Sequence, residues 1–142
     1  MRSRSYIAVA LLLGAGCGGP PQFAGETVRV LGPGGEVRLE VFADVADDER
    51  KRREGLTRYE SLAAGRGLLI VLPAEGEVCI TNARVDFAID AVFAAADGTV
   101  VAVERNVPRD DVTLRCHGST RRILEVNGGD ASAVSPGDQL VF

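Results

Sequence analysis

The chain has 142 residues, enough for one domain with a hydrophobic core and too few for two of ordinary size. It is 46% hydrophobic and 25% charged, with a formal net charge of −4. An acidic chain has no electrostatic footprint for phosphate backbones or anionic membrane surfaces, so nucleic-acid binding is not an expected role.

The first segment places Arg2 and Arg4 ahead of an apolar run from Tyr6 to Leu13, then Gly14, Ala15 and Gly16 before Cys17. That order predicts a secretory signal peptide over residues 1–16, because the run is far shorter than the roughly 20 residues of a membrane-spanning helix. A cysteine directly after small residues resembles a bacterial lipobox, in which Cys17 becomes a lipid-modified N-terminus. Gly14 stands where that pattern prefers Leu, and an ordinary cleaved signal that contains a cysteine is the alternative. Removing residues 1–16 takes away two arginines and no acid, which moves the formal charge from −4 to −6. The expectation is an exported protein of the cell envelope, attached to a membrane through acyl chains rather than surface charge.

Residues 17–26, rich in Gly and Pro, read as a tether, and residues 27–142 as a single domain. Val28 and Val30, and then Val37, Leu39, Val41, Ala43 and Val45, fall on alternate positions and predict two strands joined by a turn at Gly32–Gly35. That glycine cluster lacks the Gly-Lys-Ser/Thr and helix of a phosphate-binding loop. Asp47 and Asp48 precede a charged run that suits a short helix, with Gly55 as its stop. Arg50, Lys51, Arg52 and Arg53 are interleaved with Glu49 and Glu54, a solvated face rather than a basic patch.

An apolar run from Gly67 to Leu72, closed by Pro73, predicts a strand buried on both faces. Asp97-Gly98, between apolar runs, predicts a hairpin, and Arg121–Val126 and Asp138–Phe142 supply two more strands. Seven or eight short strands and one short helix predict an all-β class, a small sandwich or a partly closed barrel.

The stretches ERKRREGLTRYESL, RGLLIVLPAEGEV, FAIDAVFAAADGTVVAV, RRILEV and SPGDQLVF, in this order over residues 40–142, resemble the family known as domain of unknown function 192 (DUF192). The resemblance implies a compact, mainly β fold in small exported or anchored domains and implies no particular activity. Members usually carry an aromatic and Met-rich segment just before the strand of Asp90. Here Thr81, Asn82, Ala83, Arg84 and Val85 stand in its place, and Ala88 replaces a proline.

Cys79 and Cys116 remain once Cys17 is assigned to the anchor, and in an exported protein they are most simply a disulfide. One branch of the family is similar in having cysteines near both positions. A zinc site would need a fourth ligand beyond Cys79, Cys116 and His117, such as Asp90, and adjacent Cys116 and His117 point to opposite faces of an extended segment. No metal or other cofactor is expected. A Cys-x-x-Cys redox pair is absent from the sequence. A small enzyme in which Cys79 is a nucleophile beside His117 and Asp90 is the alternative to a non-catalytic domain.

Asp90 shares a strand face with Ala88 and Val92, and a carboxylate there is either exposed at the sheet face or held by backbone donors and an arginine, for which Arg84, Arg121 and Arg122 are candidates. The expected role is binding or assembly in the envelope, with an envelope protein or a small molecule as partner.

Overall fold

The computed structural model describes residues 24–142. The predicted signal peptide, Cys17 and most of the tether lie outside the described residues. In chain order the strands are β1 (Gly25–Leu31), β2 (Val37–Ala46), β3 (Arg66–Ile80), β4 (Ile89–Ala94), β5 (Val100–Val107), β6 (Arg115–Asn127) and β7 (Gln139–Val141). One short helix, α1 (Glu49–Glu54), runs into a 3-10 turn (Gly55–Arg58) between β2 and β3. β1 starts at Gly25, inside the segment assigned to the tether.

All seven strands join one sheet in the order β5-β4-β6-β3-β2-β1-β7. The sheet curls until its edges meet, with Gln139 bridging to Thr99, so the partly closed barrel holds and the two-sheet sandwich does not. Gly98 allows this closure: it sits at φ +90, and a Cβ there would lie 2.5 Å from the carbonyl oxygen of Leu140. The predicted turns at Gly32–Gly35 and Asp97-Gly98 both form, closing β1–β2 and β4–β5. Asp48 caps α1 by accepting from the Lys51 N–H at 2.8 Å, and Gly55 ends it at φ 48.

Period-two alternation divides the core in two. One cluster, with Val28, Val30, Val41, Leu69, Val92, Leu124 and Leu140, draws on the strands around the curl and fills the inside. The other, with Leu68, Ile70, Ile89, Ala91, Phe93 and Ile123, lies on the opposite face of β3, β4 and β6 and is covered by Leu56, Leu62 and Val85. β2 and β3 are parallel, which requires a crossover, and α1 with its 3-10 turn is that crossover.

Two expectations change. β3 does not stop at Pro73 but continues to Ile80, and its pairing with β6 is interrupted between Val71 and Gly76. A proline has no N–H for the ladder, and it is tolerated where the ladder is already broken. Asp90, fully buried, has no arginine partner: its Oδ1 accepts the Asn106 N–H at 2.8 Å and its Oδ2 the Ala131 N–H at 2.9 Å. Arg84 and Arg122 bond elsewhere, Arg84 through its N–H to Asp110 and Arg122 to the Ala96 carbonyl, while the Nε of Arg121 has no partner. The arginine that does contribute is Arg105, whose guanidinium donates to the carbonyls of Ala131 and Val134.

Asp90→Ala leaves the buried Ala131 N–H and the part-buried Asn106 N–H without their acceptors and is expected to cost about 2 to 4 kcal/mol in urea unfolding. A variant as stable as the parent would refute the structural role of this acid.

Candidate functional site

The residues singled out in the sequence fall into two places. Cys79 and Cys116 face each other in the β3–β6 ladder at disulfide distance, with Cα atoms 4.0 Å apart. His117 follows opposite Val78, its Nε2 2.9 Å from Glu104 Oε1 and its ring against Phe93. Arg115 spans Glu104 at 3.2 Å and Asp111 at 2.8 Å; its guanidinium, with the Thr113 N–H, lowers the Asp111 carboxyl to about 2. Asp90 lies opposite Val126, ten residues along β6 from Cys116, roughly 30 Å of extended strand. It also faces the inner cluster, whereas His117 packs on the outer one through Phe93. The structure therefore does not bring Asp90 together with Cys79 and His117. Among the described residues, no group of three or more His, Cys, Asp or Glu could hold a metal ion.

A cleft of about 250 Å³ lies instead between α1 with its 3-10 turn, the end of β3 and residues 81–85. Its lining includes Glu125, which points to the outer face from β6 and stands opposite Leu68 on β3 and Ala91 on β4, both fully buried. Glu125 is 6% exposed and has no hydrogen-bond or ion-pair partner among the described residues. Burial among apolar neighbours pushes its carboxyl up to about 7.

One wall of the cleft is the segment Thr81–Val85, and it is tied down at several points. The Asn82 N–H donates to the Asp111 carbonyl and the Asp110 N–H to the Val85 carbonyl, both at 2.9 Å. The Arg84 N–H donates to Asp110 Oδ1 at 2.9 Å. Arg84 and Asp110 both adopt positive φ, 60 and 51, a conformation that costs non-glycine residues free energy and persists only where surrounding bonds impose it. The side-chain amide of Asn82 donates to the carbonyls of Phe87 and Pro108 at 2.9 Å each, which fixes its orientation. Its Oδ1 is left buried and without a partner.

A second cavity, of about 330 Å³, is lined by Asp44, Tyr59 and Arg66. There the buried Asp44 is already satisfied by the Tyr59 hydroxyl and by Arg66 at 3.1 Å. Burial, followed by the bond to Asp44, raises the Tyr59 hydroxyl above its ordinary value. Unmet polar groups thus distinguish the cleft over Glu125.

The family model of DUF192, described as Uncharacterized ACR, matches residues 30–142. The chain belongs to the DUF192 family. No curated protein matches it. Among solved structures, this DUF192 chain is similar to a Sinorhizobium meliloti 1021 protein described as a "putative transcription regulator", with a TM-score of 0.80 and 25% identity over 87% of this chain and 97% of that one. It is also similar to a protein of unknown function from Novosphingobium aromaticivorans DSM 12444, with a TM-score of 0.78 and 21% identity over 97% of this chain and 94% of that one. The second likeness shows the fold alone.

Sequence reasoning missed Glu125. Its signal was a lone acid on the Ile123 face of the strand Arg121–Val126, the kind of interruption that did draw notice at Asp90.

Because its pKa rises from 4.5 to about 7 on folding, folded Glu125 keeps a proton that the unfolded chain releases between those values. Stability should therefore fall as pH rises through that window and level off above it, a loss of about 3 kcal/mol. Glu125→Gln should match the parent near pH 5 and exceed it by about that amount near pH 8 in urea unfolding. An unchanged difference between the two pH values would contradict the assignment.

Proposed function

We propose that the chain is an exported, lipid-anchored, non-catalytic domain that binds a small ligand in the cleft over Glu125. The observation that carries the ligand site is Glu125, a buried carboxyl left without a donor among the described residues in a cleft whose wall is held by its own backbone bonds. Leaving such a group unmet costs stability in the free protein, and a ligand that meets it recovers that cost on binding.

The candidate catalytic groups favour the non-catalytic reading. The Cys79 sulfur is spent in the pair with Cys116, His117 faces an acid rather than a thiol, and Asp90 is saturated by backbone amides. The negative net charge argues against extending the transcription-regulator description of the S. meliloti protein to this chain. The cysteine pair suits an oxidising compartment, and closing 37 residues of chain is worth about 4 kcal/mol on the chain-entropy estimate. Attachment would come from acyl chains on Cys17, since no helix among the described residues is long and apolar enough to cross a membrane.

Ligand-detected NMR with a fragment library should yield binders that are lost in Thr57→Trp, which places an indole in the cleft from the exposed 3-10 turn. A library without binders, or binders indifferent to that substitution, would remove the ligand site.

The envelope assignment has its own test. Protein purified without reductant should show no free thiol at Cys79 or Cys116, and Cys17→Ser should abolish palmitate labelling in cells. Two free thiols, or labelling that persists, would refute it.

A further inference from the structure

The unmet bonds of the cleft select a ligand class. Asn82 Oδ1 is shielded from solvent and its amide cannot turn, because both positions on the nitrogen are engaged by the carbonyls of Phe87 and Pro108, so the acceptor that the cleft offers a ligand is Glu125. Ionised Glu125 only accepts. An ammonium group, with three donors and a positive charge, answers it.

The other charged groups that line the cleft are Arg52, Arg53, Glu54 and Arg84. Arg52 gives Nη1 to the Val71 carbonyl at 3.0 Å, and Arg53 pairs with Glu49 at 2.6 Å. Glu54 pairs with Arg50 at 2.8 Å. Arg84 is committed only through its backbone N–H, which leaves its guanidinium available. A simple cation would meet repulsion from three arginines on its way to the floor. A simple carboxylate would reach the arginines but leave Glu125 unmet. A molecule with both groups fits both ends, and a volume of about 250 Å³ lies below the roughly 300–1,000 Å³ of sites for drug-sized ligands.

We propose that the cleft binds a small α-amino-acid zwitterion, its ammonium on Glu125 and its carboxylate on Arg84. This rests on the cleft being a ligand site. The ammonium bonds the ionised form of Glu125, so binding strengthens as pH rises while the arginines keep their charge. An anion held by protonated Glu125 would show the reverse dependence.

The test is an NMR titration of the purified full-length protein with L-alanine, ethylamine and propionate, at about pH 6 and about pH 8. L-alanine should shift the amide signals of Asn82 and Arg84, with affinity several-fold higher at the upper pH, and ethylamine should bind more weakly. Glu125→Gln should remove the pH dependence and most of the affinity. Arg84→Gln changes only an exposed side chain, so it serves even if the first variant fails to fold, and it should weaken L-alanine more than ethylamine. Propionate binding as tightly as L-alanine, or tighter L-alanine binding at the lower pH, overturns the zwitterion. Silence from all three compounds while library fragments still bind overturns the ligand class and spares the cleft; silence from both removes the cleft as well.

Discussion

The closure of this sheet depends on a buried carboxylate that has no counter-ion. Asp90 takes the N–H groups of Asn106 and Ala131, and Arg105 takes the carbonyls of Ala131 and Val134. The segment after β6 is thus held from its donor side by an acid and from its acceptor side by a base, with peptide groups between them. A direct ion pair would have tied Asp90 to one side chain; bonds to the backbone tie it to the path of the chain. That path leads into the turn where the Ser135 N–H donates to Asp138 Oδ2, and from there into β7. β7 then touches β1 on one side and the β4–β5 turn on the other. Without a fixed segment at residue 131, so short a strand would have little to position it.

One register step away, the same sheet carries an acid with the opposite treatment. Asp90 pairs with Val126 and Ala91 with Glu125, so the two carboxyl groups are neighbours across the β4–β6 ladder that leave it on opposite faces. Each oxygen of Asp90 accepts a backbone N–H, whereas Glu125 has no donor among the described residues. A protein that tolerates an unpartnered carboxyl at the centre of its sheet sacrifices stability there, and such sacrifices are expected at sites that act on something else. The disulfide contributes to the same region, since Cys79 lines the cleft and its bond to Cys116 anchors the far end of β3 to β6 beyond the interruption in the ladder. The wall and the floor of the cleft therefore hang on one cross-linked frame.

Local pattern carried most of the fold. Alternation at Val28 to Val45, the turn glycines at Gly35 and Gly98, the Asp48 cap and the Gly55 stop all act within a few residues, and each could be read from its neighbours. Pro73 misled because a proline argues against a central strand only where the ladder is intact, and the break in pairing lies fifty residues away on β6. The partner of Asp90 was out of reach for the same reason: Ala131 is 41 positions distant, and a backbone N–H has no sequence signature. Glu125 lacked any motif. Its importance comes from what is not beside it, and absence of a partner is a property of three-dimensional packing alone.

The cleft also bears on how far membership of the DUF192 family can inform function. Thr81–Val85, where the resemblance read from the sequence implies an aromatic and Met-rich pattern in other members, lines the same cleft as Glu125. Its shape is maintained by backbone bonds to Asp110 and Asp111 and by the amide of Asn82, and only some of those depend on the side chains that changed. An aromatic wall would present a flat apolar face to the ligand. A wall that carries Arg84 presents a cation. The scaffold can thus be common to family members while the chemistry of the cleft is particular to this chain, and a ligand found for an aromatic relative would not carry over to a cleft whose polarity has been rebuilt.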